Sequence, residues 1–276
     1  MEFFQLAILV VAGLAAGFIA GLLGVGGGVL FAPVLFFYFQ HIGIDPLVIT
    51  PLTLGTSLFC TCIASLVSGY FHFKKGAVIP SVALRTGLLS AVAVVLMTRY
   101  VTTQPWYDGE VFQIVFGSLL LVVAGRMLAQ TFEKNAPSDT SVVDLNVSWP
   151  SLAAVSTLVG VVATAAGVGG GVVMVPAYAK MMRMPIKMAI GTSSASIILI
   201  ACVSTISYVV AGWKAPVPET ALGYVDFGHA LALVFPAMFT ARLGVAAAHR
   251  LESRRLKWAF AGLAALIALR LISRVL

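Results

Sequence analysis

A glycine-rich segment that occurs twice is the part of this chain whose residue types and spacing could bind a ligand. The run Gly24 to Gly28, which is Gly-Val-Gly-Gly-Gly, returns as Gly167 to Gly171. Glycine has a low helix propensity and adopts positive φ, so each run lets an apolar helix unwind and begin again. A helix that begins again directs free N–H groups and its positive dipole end at the break, which favours anions. We expect these half-helices at residues 29–39 and 172–179.

Each glycine run is followed by a Gly-Thr-Ser motif, which could supply hydroxyl donors. A helix end contributes only about 0.3–1 kcal/mol, or up to about 2 kcal/mol when partly buried. Removing an anion from water costs several kcal/mol, whereas each hydrogen bond to a charged group adds about 1.5–3 kcal/mol. Three or four N–H and hydroxyl donors would therefore offset the cost. The expected substrate-binding residues are Gly24, Gly26, Gly27, Gly28, Thr56, Ser57, Gly167, Gly169, Gly170, Gly171, Thr192, Ser193 and Ser194.

The repetition extends well beyond the glycines. Residues 17–33 and 160–176 are identical at nine of 17 positions. The chain is therefore interpreted as a tandem duplication, with a first transmembrane repeat at 1–132, a linker loop at 133–148 and a second repeat at 149–276. Glycine-rich helices also serve close helix packing, but duplication at matched positions favours a site.

Composition indicates a membrane protein. The chain is 60% hydrophobic and only 10% charged, with a mean hydropathy of +1.04, so a soluble fold would lack the polar side chains to cover its surface. We predict an all-α integral membrane protein with eight spans, four per repeat, of which the first and fifth are broken at the glycine runs. The spans are predicted at about 3–39, 46–71, 79–101, 111–130, 149–179, 186–211, 224–248 and 256–275.

The orientation of these spans is left open by the basic residues. If every span crosses once, Lys and Arg divide almost equally between the two sides. Within each repeat, however, the bias is strong and opposite in sign, which suits inverted repeats with an odd number of crossings and a re-entrant segment. Four full crossings per repeat would instead give parallel repeats.

The sequence lacks the residues that several classes of function require. The net charge of +7 comes from Lys and Arg mainly at span ends, so nucleic acid is not an expected partner. Cys60, Cys62 and Cys202 lack the spacing of a zinc site, and no Ser-His or His-Glu constellation can be assembled. We therefore predict no enzyme activity, no metal and no cofactor. All ten carboxylates fall in loops or near span ends, which favours an anion over a cation as the cargo.

Three ionisable residues near the ends of spans are candidates for gating or proton coupling. Arg85 and Arg242 are the deepest of them, and we expect their side chains to extend toward the interface. His72 lies near the end of the second span and could carry or gate a proton near neutral pH. Tyr208 occupies its position in the second repeat, so an ordinary interfacial histidine is the alternative.

These motifs resemble one known family. The paired Gly-x-Gly-Gly-Gly runs followed by Pro33 and Pro176, the two Gly-Thr-Ser motifs and four spans per half are similar to the TauE/SafE sulfite exporter family, also called the toluene sulfonate uptake permease family. The resemblance covers nearly the whole chain. It implies a multi-pass bacterial inner-membrane transporter of small sulfur-containing anions, such as sulfite or a sulfoacetate-like organosulfonate, with proton coupling.

On this basis we expect a secondary transporter, an exporter, that binds the anion between the repeats at the broken helices. An anion channel and a carrier of other small organic anions, such as carboxylates, are the alternatives. The expected partners are the anionic substrate and the lipid bilayer, and association into a homo-oligomer stays open.

Overall fold

A computed structural model describes residues 3–132 and 149–272, and this part of the chain is almost entirely helical. A five-residue π-helical turn, Thr98–Thr102, follows the helix that ends at Met97, and a two-stranded hairpin, β1 (Ala221–Leu222) and β2 (Val225–Asp226), precedes the helix that begins at Phe227. The linker predicted at 133–148 lies outside the described residues. The helices are α1 (Phe3–Leu23), α2 (Gly28–His41), α3 (Pro46–Lys74), α4 (Pro80–Met97), α5 (Gly109–Phe132), α6 (Trp149–Ala166), α7 (Gly171–Met181), α8 (Ile186–Ala211), α9 (Phe227–Arg250) and α10 (Ser253–Ile272).

The helices begin at residues that suit helix starts. Pro46 and Pro80 occupy the first turns of α3 and α4, where the missing N–H costs nothing, and the Asp45 carboxylate caps α3 by accepting from the Leu47 N–H at 2.8 Å. Within the described residues, six helical segments are long and apolar enough to cross a bilayer, so the chain is a multi-pass membrane protein. They are Leu6–Leu23, Pro46–Lys74, Pro80–Thr102, Trp149–Ala166, Ile186–Ala211 and Phe227–Arg250.

The two longest helices, α3 and α8, pack against each other in opposite directions. Gly69 of α3 lies beside Ala195 of α8, and Cys62 contacts Cys202 with the Sγ atoms 3.0 Å apart. Residues later in α3 therefore meet residues earlier in α8. We call the two faces of the molecule the Pro46 side and the Lys74 side, after the first and last residues of α3.

The chain reverses direction between α1 and α2. Helix α1 runs alongside α9 in the same direction, because an added Cβ at Gly13 would meet Leu233 and one at Gly21 would meet Ala241. His72, near the end of α3, bonds the Gly21 carbonyl at 2.9 Å, so α1 ends toward the Lys74 side. Helix α2 then ends at His41, one short turn before α3 begins. It has returned to the Pro46 side.

The second half of the chain makes the same reversal from the opposite face. The Tyr208 hydroxyl, near the end of α8, donates to the Thr164 carbonyl near the end of α6 at 3.2 Å, so α6 and α8 run in the same direction. Helix α7 then ends at Met181, shortly before α8 begins on the Lys74 side. The two glycine runs lie at the two reversals.

Candidate functional site

The two glycine runs meet backbone to backbone in the interior of the protein. A Cβ added to Gly28 would lie 2.5 Å from the Val168 Cα, and one added to Gly171 would lie 2.6 Å from the Val25 Cα. Both distances are far shorter than any real Cβ contact, so these positions admit only glycine. Residues 24–28 and 167–171 are all buried. We call this meeting point the glycine junction.

Helices α2 and α7 both begin at the glycine junction. Their N-caps, Gly27 and Gly170, have φ of 79° and 82°, a left-handed conformation that strains any other residue. The Gly27 carbonyl accepts from the N–H groups of Leu30 and Phe31. The first amides of each helix have no carbonyl one turn earlier to bond, and they carry the positive end of the dipole. Two such helix starts therefore converge on one place.

The serines of the Gly-Thr-Ser motifs tie each half of the chain to the glycine run of the other half. The Ser57 hydroxyl donates to the Gly167 carbonyl at 2.8 Å, and the Ser193 hydroxyl donates to the Gly24 carbonyl at 2.8 Å. Both serines are fully buried. Their protons are therefore committed to loop carbonyls in this conformation, and they support the junction from both sides.

The threonines of the same motifs bond to connecting loops. The Thr56 hydroxyl accepts from the Asp226 N–H at 2.9 Å, and the Thr192 hydroxyl accepts from the Ile79 N–H at 3.1 Å. The structure therefore brings both threonines to the loops beside the junction rather than into contact with the glycines. The Ser194 hydroxyl is fully buried and has no hydrogen-bond partner.

Asp226 is a buried carboxylate at the start of α9 that the sequence alone placed simply near a span end. Its Oδ2 lies 2.6 Å from the His229 Nδ1, and Oδ1 accepts from the Thr220 hydroxyl at 2.9 Å. Burial alone would raise the pKa of this carboxyl, but the hydrogen bonds from His229 and Thr220 outweigh it and hold the pKa below its ordinary value. Asp226 thus fixes the loop that covers Thr56.

Two hydroxyls that the sequence-based prediction omitted point at the glycine junction. The Thr61 Oγ1 lies 2.9 Å from where a Cβ on Gly28 would sit, and the Ser65 Oγ lies 2.7 Å from the same position on Gly26. Both side chains are fully buried, and neither hydroxyl has a hydrogen-bond partner. An unpaired buried hydroxyl is costly, so the site contains donors that the protein itself does not use.

A helical stripe in the sequence could have revealed these hydroxyls. Positions three and four residues apart share one helix face, and the buried face of α3 that begins at Ser57 continues through Thr61, Ser65, Ser68 and His72. The matching stripe of α8 begins at Ser193 and has apolar residues at its next two positions. Its further members are Ile197, Ala201, Ser204 and Tyr208.

The glycine junction is therefore polar on one side and apolar on the other. Thr61 and Ile197 occupy equivalent positions of the two stripes, and both contact Gly26 and Gly169. Thr61 meets these two glycines with its methyl group and directs its unpaired hydroxyl at Gly28, while Ile197 brings only hydrocarbon. The junction therefore presents N–H and O–H donors on the α3 side and hydrocarbon on the α8 side.

The three ionisable candidates lie outside the glycine junction. Arg85 extends over the ring of Trp149 at 5.6 Å, and Arg242 lies over the Phe71 ring at 5.4 Å. His72 is fully buried and bonds the Gly21 carbonyl through Nε2. Its Nδ1 lies 3.2 Å from the Nε2 of His249, a partner that the sequence did not indicate because 177 residues separate the two.

Comparison with known proteins agrees with this membrane architecture. The chain is 28% identical to a probable membrane transporter protein of Haemophilus influenzae, over 90% of this chain and 91% of the relative. A probable membrane transporter protein of Methanocaldococcus jannaschii is 27% identical, over 91% and 90% of the two chains, and one of Bacillus subtilis is 27% identical over 90% of each. No solved structure matches the chain. The family model for sulfite exporter TauE/SafE matches residues 9–271, so the chain belongs to the TauE/SafE family of membrane transporters.

Proposed function

We propose that the protein is a secondary transporter, an exporter, of small sulfur-containing anions, sulfite or an organosulfonate, and that the anion binds at the glycine junction. The observation that carries this proposal is the pair of unpaired buried hydroxyls, Thr61 and Ser65, at the point where two helix N-termini converge. Family membership supports the transporter class. The donor chemistry supports an anion.

The available donors are sufficient in magnitude. Two helix ends supply about 1–2 kcal/mol together, which is less than the several kcal/mol lost when an anion leaves water. Hydrogen bonds from Thr61, Ser65 and two free amides would add about 1.5–3 kcal/mol each. The sum modestly exceeds the cost, which suits a site that binds and releases its cargo. The three oxygens of a sulfonate or sulfite match donors arriving from several directions.

The arrangement that we propose is a pair of inverted repeats. Equivalent helices α3 and α8 run in opposite directions, and the glycine-broken segments, α1 with α2 and α6 with α7, each return to the face where they began. Helix α1 ends about 10 Å of helix short of the end of α9. We therefore propose that α3 to α5 and α8 to α10 cross the membrane, three crossings per repeat and six in all, with a re-entrant hairpin in each repeat at the first and fifth of the eight predicted spans. Although α1 and α6 are long and apolar enough to cross, they form the first arms of these hairpins in this arrangement.

This arrangement removes the ambiguity in the basic residues. Among the described residues, Arg85 and Arg242 lie within helices nearer the Lys74 side. Ten other Lys and Arg fall toward that side and three toward the Pro46 side. Basic residues accumulate in the cytoplasm, so we propose that the Lys74 side faces the cytoplasm. The ten are Lys74, Lys75, Arg126, Lys180, Arg183, Lys187, Arg250, Arg254, Arg255 and Lys257, and the three are Arg99, Lys214 and Arg270.

Transport would follow from movement of one repeat against the other around the junction. On the Lys74 side, His72 and Gly21 close the approach. On the Pro46 side, Tyr208 and Thr164 close it. Because the reciprocal bonds of Ser57 and Ser193 cross between the repeats, opening either side alters one of them. A carrier alternates between a conformation open to one side of the membrane and a conformation open to the other. The buried junction is closed to both sides, which favours a carrier over an open channel.

The apolar half of the junction favours an anion with a hydrocarbon part. Ile197 and Ala201 offer nothing to a fully hydrated inorganic ion, whereas a short alkyl group would contact them. We therefore place organosulfonates ahead of inorganic sulfite, with short-chain carboxylates as the competing cargo.

Thermal unfolding of the purified protein tests the cargo, because a ligand of the native state raises its stability. The panel is sulfite, sulfate, sulfoacetate, taurine and matched carboxylates. We expect sulfur oxyanions to raise the unfolding temperature and Thr61→Val to abolish the rise. Ser204→Ala, which removes another unpaired buried hydroxyl of the α8 stripe, is the matched control. A rise with carboxylates alone would refute the sulfur assignment.

A further inference from the structure

His72 and His249 form a hydrogen-bonded pair on the Lys74 side. The His72 Nδ1 lies 3.2 Å from the His249 Nε2, and the His72 Nε2 lies 2.9 Å from the Gly21 carbonyl oxygen. His72 is fully buried, whereas His249 is partly exposed at the end of α9. The pair therefore connects the surface to the end of α1, three residues before Gly24.

The hydrogen bonds determine where the protons of the neutral pair lie. The Gly21 carbonyl can only accept, so the His72 Nε2 carries a proton and its Nδ1 has a lone pair. That lone pair accepts from the His249 Nε2–H, which leaves the His249 Nδ1 as the free base. A proton that binds there makes His249 an imidazolium. Transfer of its Nε2 proton to the His72 Nδ1 then moves the charge inward and returns His249 to neutrality.

Burial opposes a cation at His72, whereas the end of α1 favours one. Gly21 lies in the last turn of α1, where unpaired carbonyls carry the negative end of the helix dipole. Within the part of the chain that the structure describes, the other helices packed on His72 present no acidic side chain to it, since α8 offers Gly191 and α9 offers His249 itself. Lys75 and Lys187 act electrostatically on His249, and their positive charges oppose a proton that stays on this outer ring.

The equivalent position on the opposite face cannot do this. Tyr208 occupies the place of His72 in the α8 stripe, and its hydroxyl oxygen lies 2.7 Å from Thr102 Oγ1 and 3.2 Å from the Thr164 carbonyl oxygen. A tyrosine holds the end of α6 but takes up no proton near neutral pH. The contact of His72 with the end of α1 and the contact of Tyr208 with the end of α6 are equivalent in position, but only the histidine can bind a proton.

We propose that His72 and His249 are the proton-binding site that couples anion movement to protons, and that it is filled from the Lys74 side. The inference rests on the proposed transport of an anion at the glycine junction. A proton on His72 places positive charge within a few residues of that junction, so binding of the proton and binding of the anion would favour each other. A doubly protonated pair would bring the His72 Nδ1–H and the His249 Nε2–H face to face, which breaks the bond between α3 and α9 and opens this side.

Proteoliposomes separate coupling from transport. Radiolabelled sulfite or sulfoacetate exchange at equal pH needs no coupling, whereas accumulation driven by a pH gradient does, and a pH-sensitive dye inside the vesicles reports the protons. We expect His72→Gln and His249→Gln to keep exchange and lose gradient-driven accumulation at least tenfold. His41→Gln, at the exposed end of α2, is the matched control and should behave as wild type.

Each outcome bears on a different claim. Gradient-driven accumulation at the wild-type level in both histidine variants would overturn the proton site. So would a wild-type protein that exchanges the anion without any response to pH. Absence of exchange in the wild type would instead overturn the proposed transport. Should His72→Gln fail to fold because it is buried, His249→Asn at the partly exposed partner still decides the question.

Discussion

The Ser57 hydroxyl donates a 2.8 Å hydrogen bond to the carbonyl of Gly167, a residue 110 positions further along the chain. Ser193 makes the equivalent bond to Gly24 over 169 positions. Each half of the protein thus holds the broken helix of the other half, and the contact between halves is the place where we propose that the anion binds. Disturbing this contact should affect stability, whereas disturbing the unpaired hydroxyls beside it should affect binding.

Removing a junction serine should destabilise the protein. In Ser57→Ala or Ser193→Ala a buried carbonyl loses its donor, which costs about 1–3 kcal/mol, so the unfolding temperature in detergent should fall by a similar amount in both variants. Ser118→Ala removes an exposed hydroxyl that bonds only its own helix and should have little effect. Equal stability of the Ser57 variant and this control would contradict the structural role.

Removing an unpaired hydroxyl should weaken anion binding without lowering the stability of the protein. Thr61→Val keeps the side-chain shape and removes a polar group that has no partner in the unliganded protein, so stability should be unchanged or slightly higher. Loss of a hydrogen bond to a charged ligand, about 1.5–3 kcal/mol, should weaken anion binding roughly 10- to 150-fold. Ser65→Ala should act in the same direction. Titration of the unfolding temperature against ligand concentration measures both quantities.

The glycines that touch the opposite run should not tolerate a methyl group. Gly28→Ala and Gly171→Ala would place a Cβ about an ångström inside normal contact with opposing backbone, which cannot move aside cheaply. We expect loss of the monodisperse protein in size-exclusion chromatography. Gly125→Ala, whose Cβ would meet nothing within 4 Å, should purify as wild type does. A well-folded Gly28→Ala protein would show that the junction is looser than described.

Oxidation should stop transport by joining α3 to α8. The Sγ atoms of Cys62 and Cys202 lie 3.0 Å apart between α3 and α8, so copper-phenanthroline with oxygen should join them in a disulfide. Exchange of labelled anion should fall more than tenfold and recover with dithiothreitol. Cys202→Ser should be insensitive to the oxidant, while Cys60→Ser should remain sensitive. Full transport by the crosslinked protein would argue against movement between α3 and α8.

Labelling from one side tests the proposed orientation. In a background without native cysteines, Lys214→Cys should react with an impermeant maleimide added outside intact cells, and Lys75→Cys only after the membrane is opened. Both residues are exposed, so burial does not confuse the result. The reverse pattern would invert the topology.

The sequence located the helices well because apolar length and breaker residues are local properties. The segment predicted at 186–211 coincides with α8, and the one at 46–71 ends three residues before α3 does. Hydropathy counts length but not direction, so it could not show that α2 returns to the face where α1 began. That reversal depends on contacts such as Gly21 with His72, which link residues from different helices.

Only those features of the candidate site that depend on local sequence could be predicted. The glycine runs were recognisable because only glycine serves a helix break with positive φ. The roles of Ser57 and Thr56 were not, since a hydroxyl in a helix gives no sign of which distant carbonyl or amide it will bond. Thr61 and Ser65 were accessible from helical spacing alone, whereas the partnership of His72 with His249 required the packing of α3 against α9.

The central claim is that the glycine junction binds a sulfur oxyanion for transport, and counterflow in proteoliposomes tests it most directly. Vesicles loaded with unlabelled sulfoacetate or sulfite should take up the labelled anion saturably, and Thr61→Val should raise the half-saturating concentration at least tenfold while the folded fraction stays constant. Wild-type vesicles that show no counterflow with any sulfur oxyanion, or a Thr61→Val variant with unchanged saturation, would contradict the account.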